Sequence, residues 1–307
     1  MPEVLHGDVR MPAREARRRF LAHRPATLGA AFLLLLAMVL VLGPAFHGID
    51  PNAHSNDTFQ PPSGRHPFGT DIHGRDVLSR CIGGARVSVL AGLMGALLSV
   101  VIGTAYGLVS GYAGGRVDAL LMRAVDLLHA LPNIIFVMLV LGTAEAALTR
   151  MLREVFPGLA GAARMVLMVA CLGAISWLNM ARIVRGQVLA LRARPFVLAS
   201  RLAGASPFFI LSRHLLPNVL GVVLAYASLT VPSVILYESF LSFLGMGIRP
   251  PDASLGTLIE DGARQLNPIE VRWWLLVFPG GLLAWTLLAL NAVADGLRDA
   301  LDPPSRG

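Results

Sequence analysis

Six long stretches of the sequence are rich in apolar residues and nearly free of charge, and they restrict the possible folds more than any other feature. A helix that crosses a bilayer needs about 20 such residues, because the hydrocarbon contains no water to satisfy an exposed backbone. The stretches cover residues 26–46, 87–115, 124–143, 165–181, 219–245 and 273–294. The sequence therefore predicts an all-α integral membrane protein with about six transmembrane helices.

The composition excludes several kinds of chemistry. All 26 basic residues are arginine, so the chain lacks the lysine that a P-loop places beside nucleotide phosphates, and it lacks a lysine for a Schiff base. The two cysteines, Cys81 and Cys171, lie far apart and outside any CxxC motif, and the eight histidines are scattered. We expect no catalytic, cofactor-binding or metal-binding residue on this chain, and we expect that it is not an enzyme and has no nucleic-acid partner.

The arginines predict the orientation in the membrane. The first apolar stretch is too long for the apolar region of a signal peptide and no A-x-A-like cleavage site follows it, so we interpret it as a retained helix. With six spans, both termini lie on one side. Six arginines before the first span, two between the second and third, six between the fourth and fifth, and two after the sixth place 16 of the 26 on that side. Arginine-rich loops favour the cytoplasm, so both termini are predicted to be cytoplasmic.

The domain organisation follows from these spans. External loops are predicted at 47–86, 144–164 and 246–272. The longest segment predicted between spans on the cytoplasmic side contains a loop at 192–218. The predicted units are a cytoplasmic tail (1–25), a first transmembrane helix (26–46), an external loop with an interfacial segment (47–86), a core of five transmembrane helices (87–302) and a C-terminal cytoplasmic tail (303–307).

The cytoplasmic loop reads RARPFVLASRLAGASPFFILSRHLLPN over 192–218 and carries signals for two short helices. The first helix is predicted over 196–203, with Gly204 just past its end in a left-handed conformation. Ser206 followed by Pro207 is typical of an N-cap and a first helical residue. The second helix is predicted over 207–215, and Pro217 is expected to break the chain before the fifth span.

The same loop places aromatic and aliphatic side chains beside arginines. Phe196, Phe208, Phe209 and Ile210 form an apolar knob with a basic rim. Such a knob fits either a groove on a partner protein or the headgroup layer of the membrane, and the residue pattern favours neither.

This loop resembles the EAA loop of ABC-importer permeases, which begins Glu-Ala-Ala, has a glycine four residues later and ends with a Leu-Pro pair. Ala199, Gly204, Leu216 and Pro217 fall in register with that pattern. Leu198 stands where the glutamate usually is, and Ser200 replaces the second alanine. An ion pair that this glutamate makes in relatives is therefore absent here or supplied differently.

Four more segments resemble the C-type permease of dipeptide and oligopeptide importers, and the resemblance covers residues 18–303. The segments are HPFGTDIHGRDVLSR (66–80), GYAGGRVDALLMRAVDLLHALP (111–132), ESFLSFLGMGIRPP (238–251) and LNAVADGLRDALDP (290–303).

The resemblance implies a type I ABC-importer permease fold with a cytoplasmic EAA-like coupling helix, in a bacterial inner membrane. It implies four kinds of neighbour: a second, homologous permease subunit, two ATPase subunits that carry ATP and Mg, an extracytoplasmic solute-binding protein, and lipid. The expected solutes are di- or oligopeptides, with nickel chelates or oligosaccharides as the alternative. A standalone secondary transporter is the less favoured class, because the spans hold few ionisable residues and no clear inverted repeat.

The resemblance also implies a set of residues that couple the loop to the ATPase. In this sequence they are Phe196, Ala199, Arg201, Gly204, Ala205, Ser206, Pro207, Phe208, Phe209, Arg213, His214 and Pro217.

Polar residues in or near the spans give further candidates. Glu238, followed by Ser239 and Ser242, either lines an external gate or meets a substrate amine, or it makes a structural hydrogen bond to a neighbouring helix. Asp126 is expected to pair with Arg123 or Arg182. Charged residues of the external loops either dock the binding protein or hold an interfacial segment in place; the candidates are Asp71, Arg75, Asp76, Asp252 and Glu260.

Overall fold

The structure is a computed structural model that describes residues 13–47, 50–249, 252–267 and 270–301. The predicted C-terminal tail and the first twelve residues of the predicted N-terminal tail lie outside these residues. The described helices in chain order are α1 (Ala13–Ala22), α2 (Arg24–His47), α3 (Val77–Ala113), α4 (Gly115–His129), α5 (Asn133–Val155), α6 (Ala163–Leu191), α7 (Pro195–Leu202), α8 (Pro207–Phe209), α9 (Leu216–Phe243), α10 (Leu255–Arg264) and α11 (Trp274–Leu301). A 3₁₀ turn (Pro157–Ala162) precedes α6, and a π-helical turn (Ile210–Leu215) joins α8 to α9.

Six helical segments in the described part of the chain are long and apolar enough to cross a membrane, as predicted. They are α2, α3, α5, α6, the continuous helix Pro207–Phe243 and α11. Two of them are longer than their apolar stretches. α3 begins at Val77, ten residues before the uncharged run, and α6 continues to Leu191, ten residues past its predicted end.

The third predicted span, 124–143, is not one helix. α4 ends at His129 and α5 begins at Asn133, so residues 130–132 interrupt it. Pro132 accounts for the break, because it has no N–H to donate and its ring disfavours the helical conformation at Leu131. Asp126 consequently lies on α4 and not within the apolar helix α5.

Glycines on α3 let this helix approach α6 closely. A Cβ atom at Gly103 would lie 2.6 Å from Met180 Cβ, and one at Gly107 would lie 2.6 Å from the carbonyl oxygen of Ala181. A Cβ atom at Gly111 would lie 2.7 Å from Val188 Cβ. Small residues spaced by four are typical of tightly packed helices in membranes, and α3 with α6 forms the central pair of this fold.

A core at one end of this pair anchors the loop at 192–218, which was predicted to be cytoplasmic. Val197 of α7 and Ile210 of the π-helical turn are fully buried. They pack in one cluster with Leu108 of α3 and Val184 of α6. The loop is therefore fixed to the membrane helices and does not hang free from them.

Candidate functional site

The turn between α7 and α8 has the left-handed glycine that the sequence predicts. Gly204 has φ +77°, and its N–H donates to the carbonyl of Arg201 at 3.0 Å. The N–H of Ala205 donates to the carbonyl of Ser200 at 3.0 Å. These two bonds form a Schellman motif, which satisfies carbonyls at the end of α7 and fixes the angle to the next helix.

The second short helix begins as predicted and ends differently. The Ser206 side chain accepts a hydrogen bond from the N–H of Phe209 at 3.3 Å, so it is the N-cap, and Pro207 follows in the first turn. The prediction that Pro217 breaks the chain is wrong, because the helix is continuous from Pro207 to Phe243. In the π-helical turn the N–H of Leu216 donates to Leu211, five residues back, and Pro217 then lies in the first turn of α9. A proline is tolerated there because its missing N–H falls where the hydrogen-bond register changes.

His214 ties the two short helices together. Its Nε2 atom lies 3.0 Å from the Ser200 hydroxyl oxygen, and the Ser200 hydroxyl donates to the carbonyl of Phe196 at 3.0 Å. Because that hydroxyl hydrogen is already used, His214 Nε2 donates to Ser200. The rings of Phe196 and Phe209 flank the imidazole at 6.1 and 5.6 Å between centroids. Ser200, which departs from the family pattern, thus has a partner within the loop.

The outer side of the loop carries an exposed apolar surface, here called the knob and defined as Phe196, Leu198, Leu202, Phe208 and Phe209. Leu202 is 91% exposed and Phe208 is 79% exposed. Leu198 and Leu202 were not predicted to belong to this surface, and the prediction that Ile210 belongs to it is wrong, because Ile210 is buried. The helical period could have identified Leu198 and Leu202, because they are four residues apart and so lie on one face of α7.

The remaining coupling candidates lie around the knob. Arg201 is exposed and its guanidinium lies 4.5 Å from the centre of the Tyr112 ring at the end of α3. Ala199 and Arg213 are exposed, and Ala205 and Pro217 are half-buried. The structure thus brings all twelve predicted coupling residues into one segment beneath α3 and α6.

Two ion pairs that bind α4 to α6 lie next to this segment. Asp118 accepts hydrogen bonds from Arg185 Nε at 2.5 Å, Arg185 Nη2 at 2.6 Å and the Ser110 hydroxyl. The Arg185 hydrogen bonds lower the pKa of Asp118 below its ordinary value. Asp126 pairs with Arg182 at 2.7 Å, one of its two predicted partners. The Asp118 pair was not predicted, because its members are far apart in sequence.

Glu238 is fully buried near the C-terminal end of α9 and accepts three hydrogen bonds. The donors are the hydroxyls of Ser242 at 2.7 Å, Ser88 at 2.9 Å and Ser239 at 3.3 Å. Ser88 belongs to α3, so the carboxyl joins two spans. This geometry supports the structural alternative for Glu238, because a fully buried carboxyl is shielded from a solute path.

The start of α10 completes the Glu238 cluster. The N–H of Leu255 donates to the Ser88 hydroxyl at 3.2 Å, and the Ser254 hydroxyl donates to that of Ser242 at 3.1 Å. The serine hydroxyls therefore connect the N-terminus of α10, the positive end of its helix dipole, to the carboxyl group of Glu238. Gly256 makes this approach possible, since a Cβ atom there would lie 2.5 Å from the Ser239 carbonyl oxygen.

The external charged candidates divide into buried and exposed ones. Asp71 accepts hydrogen bonds from Arg75 Nε and Arg80 Nη1, both at 2.7 Å. Burial raises the pKa of Asp71, but the backbone N–H of Arg75 and the charges of Arg80 and Arg75 outweigh it, so the pKa lies below its ordinary value. Asp76 is the N-cap of α3 and accepts from the N–H of Ser79 at 2.8 Å.

These contacts support a structural role for Asp71, Arg75 and Asp76, which hold the segment before α3 on that helix. The other two docking candidates differ. Asp252 is exposed, whereas Glu260 is half-buried and pairs with Arg264 within α10.

Two models of protein families match parts of this chain. A family model described as "Binding-protein-dependent transport system inner membrane component" matches residues 103–307. A second, described as "N-terminal TM domain of oligopeptide transport permease C", matches residues 12–62.

Individual proteins match over nearly the whole chain. The chain is 42% identical over 295 residues to the oligopeptide transport system permease protein OppC of Haemophilus influenzae, which covers 95% of this chain and 88% of that protein. It is 40% identical over 294 residues to the dipeptide transport system permease protein DppC of Bacillus subtilis, with 95% and 86% covered. A solved structure of the MetNI methionine ABC transporter in inward-facing conformations has a similar fold, with a TM-score of 0.53 at 20% identity over 74% of this chain and 98% of the other.

Proposed function

The chain belongs to the family of binding-protein-dependent transport system inner membrane components, and from this membership we propose that it forms one half of the translocation pathway of an ATP-driven peptide importer. The observation that carries the peptide assignment is the identity of 40–42% to permeases named for oligopeptide and dipeptide transport. That identity extends over 95% of the chain and is not confined to a shared motif.

In this proposal the knob is the surface that contacts an ATPase subunit. Its members are exposed on one side of the loop, while Val197 and Ile210 on the other side are buried in the hydrophobic cluster that the loop forms with α3 and α6. A protruding apolar surface on a rigid base suits a groove on a protein partner, since aromatic side chains in a pocket dominate most interfaces. Motion of that partner would then reach α3, α6 and α9 through packed side chains.

The assembly follows from the division of labour in the family. In this proposal the chain contacts one ATPase subunit and a second, homologous permease contacts the other. Two ATPase subunits then act on one pathway. The chain has no lysine, and so no P-loop, which supports an energy source on those subunits. The external loops, with Asp252 exposed, are assigned to the side on which a solute-binding protein delivers its cargo.

The proposal is tested by reconstitution of the complete complex. The chain is co-expressed with the permease, ATPase and binding-protein subunits that we expect to be encoded beside it, and the complex is purified through a tag on this chain. The purified complex in liposomes is expected to take up labelled di- and oligopeptides when ATP and the binding protein are both present.

The outcomes separate the alternatives. Uptake of a nickel chelate or an oligosaccharide without uptake of peptides would contradict the substrate assignment and leave the importer assignment intact. Uptake by this chain alone, independent of ATP, would instead identify a secondary transporter.

A further inference from the structure

A polar stripe follows one face of α9 at the depth of the membrane. It consists of Tyr226, Thr230, Ser233 and Tyr237, whose spacing of four, three and four residues places them within an arc of about 60° on a helix. All four side chains are partly or largely exposed. Below, the name stripe refers to these four residues.

The position of the stripe argues against a lipid-facing role. Tyr226 lies ten residues after the first residue of α9, or about 15 Å along the axis, and Tyr237 lies six residues, or about 9 Å, before the last. Tyrosines that face lipid are enriched at the two membrane surfaces, whereas Tyr226, Thr230 and Ser233 lie deeper along α9. The adjacent face of the same helix is apolar, with Leu236, Phe240 and Phe243 exposed, and it suits lipid or a neighbouring helix.

A break in the backbone lies beside the stripe and provides a second, independent observation. Asn133, the first residue of α5, lines one crevice with Tyr237 of the stripe and with Ile175 of α6. The break before it, residues 130–132, is exposed. Among the described residues, no hydrogen bond ends on the carbonyl oxygens of His129, Ala130 or Leu131. Irregular backbone at this depth is tolerated only where it is covered by protein or lines water.

We propose that the stripe and the break at 130–132 form the wall that this chain contributes to a water-filled solute path. This proposal rests on the proposed function and specifies which of the chain's surfaces the peptide meets. Broken helices near the middle of the membrane also mark solute sites in other transporters.

The chemistry of this wall fits the main chain of a peptide. The Thr230 and Ser233 hydroxyls donate to the helix carbonyls of Tyr226 and Leu229 at 2.8 and 3.0 Å, so their lone pairs face outward as acceptors for peptide N–H groups. The tyrosine hydroxyls and the free carbonyls at the break offer both kinds of hydrogen bond. The charged residue of α9, Glu238, is fully buried away from this face. An uncharged wall binds the main chain of any peptide weakly, which allows passage without retention.

The test measures water access at single cysteines in the assembled complex. The buried native cysteines, Cys81 and Cys171, are replaced by alanine, and Thr230→Cys and Ser233→Cys are compared with Leu236→Cys. Leu236 is the matched control, because it is 55% exposed and lies three residues from Ser233 on the apolar face. The complex in liposomes, cycling with ATP, is treated with the membrane-impermeant reagent sulfonatoethyl methanethiosulfonate.

The two stripe variants are expected to react at least about tenfold faster than Leu236→Cys, because a thiol against apolar surroundings stays protonated and out of reach of the reagent. Transported peptide is expected to slow the reaction at the stripe alone. Rates equal to that of Leu236→Cys would overturn the proposal and place the stripe against the second permease or lipid. Leu131→Cys, at the break, provides an independent position if either stripe variant fails to assemble.

The readouts distinguish the two proposals. Fast labelling without protection, in vesicles that do transport peptide, overturns the assignment of peptide contact to this wall. Fast labelling in a complex that transports no peptide at all contradicts the peptide substrate and supports the water-filled path.

Discussion

At the scale of single residues, Glu238 shows how a buried polar group can hold several helices together. Its three hydroxyl donors come from α3 and α9, and two of these hydroxyls accept in turn from the start of α10. Ser88 donates its hydroxyl hydrogen to Glu238 and accepts the N–H of Leu255. All three hydroxyls that contact the carboxyl group donate to it, so the cluster suits a group that only accepts hydrogen bonds.

Glu238→Gln is expected to lower the free energy of unfolding by about 1–3 kcal/mol, because the new amide N–H₂ would face a hydroxyl that is already a donor. Thermal unfolding of the purified complex in detergent measures the change. Glu260→Gln is the matched control. Its partner Arg264 is 70% exposed, so the loss of this ion pair is expected to lower the free energy of unfolding by less than about 1 kcal/mol. An unchanged unfolding midpoint for Glu238→Gln would contradict the structural role.

Asp118 gives a prediction about pH. Because Arg185 lowers its folded-state pKa, the carboxylate contributes stability that is fully present above the unfolded pKa of about 3.9 and is lost as the pH falls through the folded value. The unfolding midpoints of the wild type and Asp118→Asn are therefore expected to differ by a constant amount between about pH 5 and 8 and to converge below about pH 4.

Asp126→Asn is the comparison for this experiment, because its carboxylate pairs with Arg182 but is 66% exposed. It is expected to have little effect at any pH. A wild-type advantage over Asp118→Asn that grows on acidification would refute the assigned direction of the pKa shift.

At the scale of elements, the conformation of the loop at 192–218 was predictable where local chemistry decides the backbone. Gly204 and the Ser206–Pro207 pair each act within about one turn, and both behave as their residue types require. The continuation through Pro217 was not predictable, since it depends on the π-helical turn held in a core with Val184 of α6. The same limit applies to Ile210, whose burial depends on α3 and α6 and not on its neighbours in sequence.

Gly204→Val tests the rigid turn as the coupling element. A Cβ atom at Gly204 meets no atom within 4 Å, so the cost is strain in the left-handed backbone, about 1–2 kcal/mol. A shift of that size favours a different angle between α7 and α8. We expect an assembled complex that hydrolyses ATP but takes up about tenfold less peptide per ATP.

Gly186→Val is the matched control for Gly204→Val. Gly186 is also exposed and has open space at its Cβ position, but it lies within α6 and has no left-handed backbone. Uptake and ATP hydrolysis are measured on the same liposomes for both variants. Equal peptide uptake per ATP in the two variants would remove Gly204 from the coupling mechanism.

At the scale of the whole molecule, the number of spans could be read from composition because the bilayer sets a minimum length for each apolar helix. The partners of Glu238 could not, since Ser88, which donates to it, lies 150 residues earlier in the chain, and Ser254 joins the cluster only through Ser242. Arg164 illustrates the same point: it is buried and donates to the carbonyl of Met246, across 82 residues. Such contacts depend on how helices pack, which apolar periodicity alone does not specify.

The orientation proposed from the arginines can be tested with two single cysteines on either side of one helix. Arg213 and Asp252 are both exposed, and the helix Pro207–Phe243 carries the chain across the membrane between them. In a background without Cys81 and Cys171, Asp252→Cys is expected to react with an impermeant maleimide in intact spheroplasts. Arg213→Cys is expected to react only in inside-out vesicles, because loops rich in arginine remain on the cytoplasmic side. The reverse pattern would invert the topology and move the knob away from any cytoplasmic ATPase, whereas labelling of both from one side would contradict the span itself.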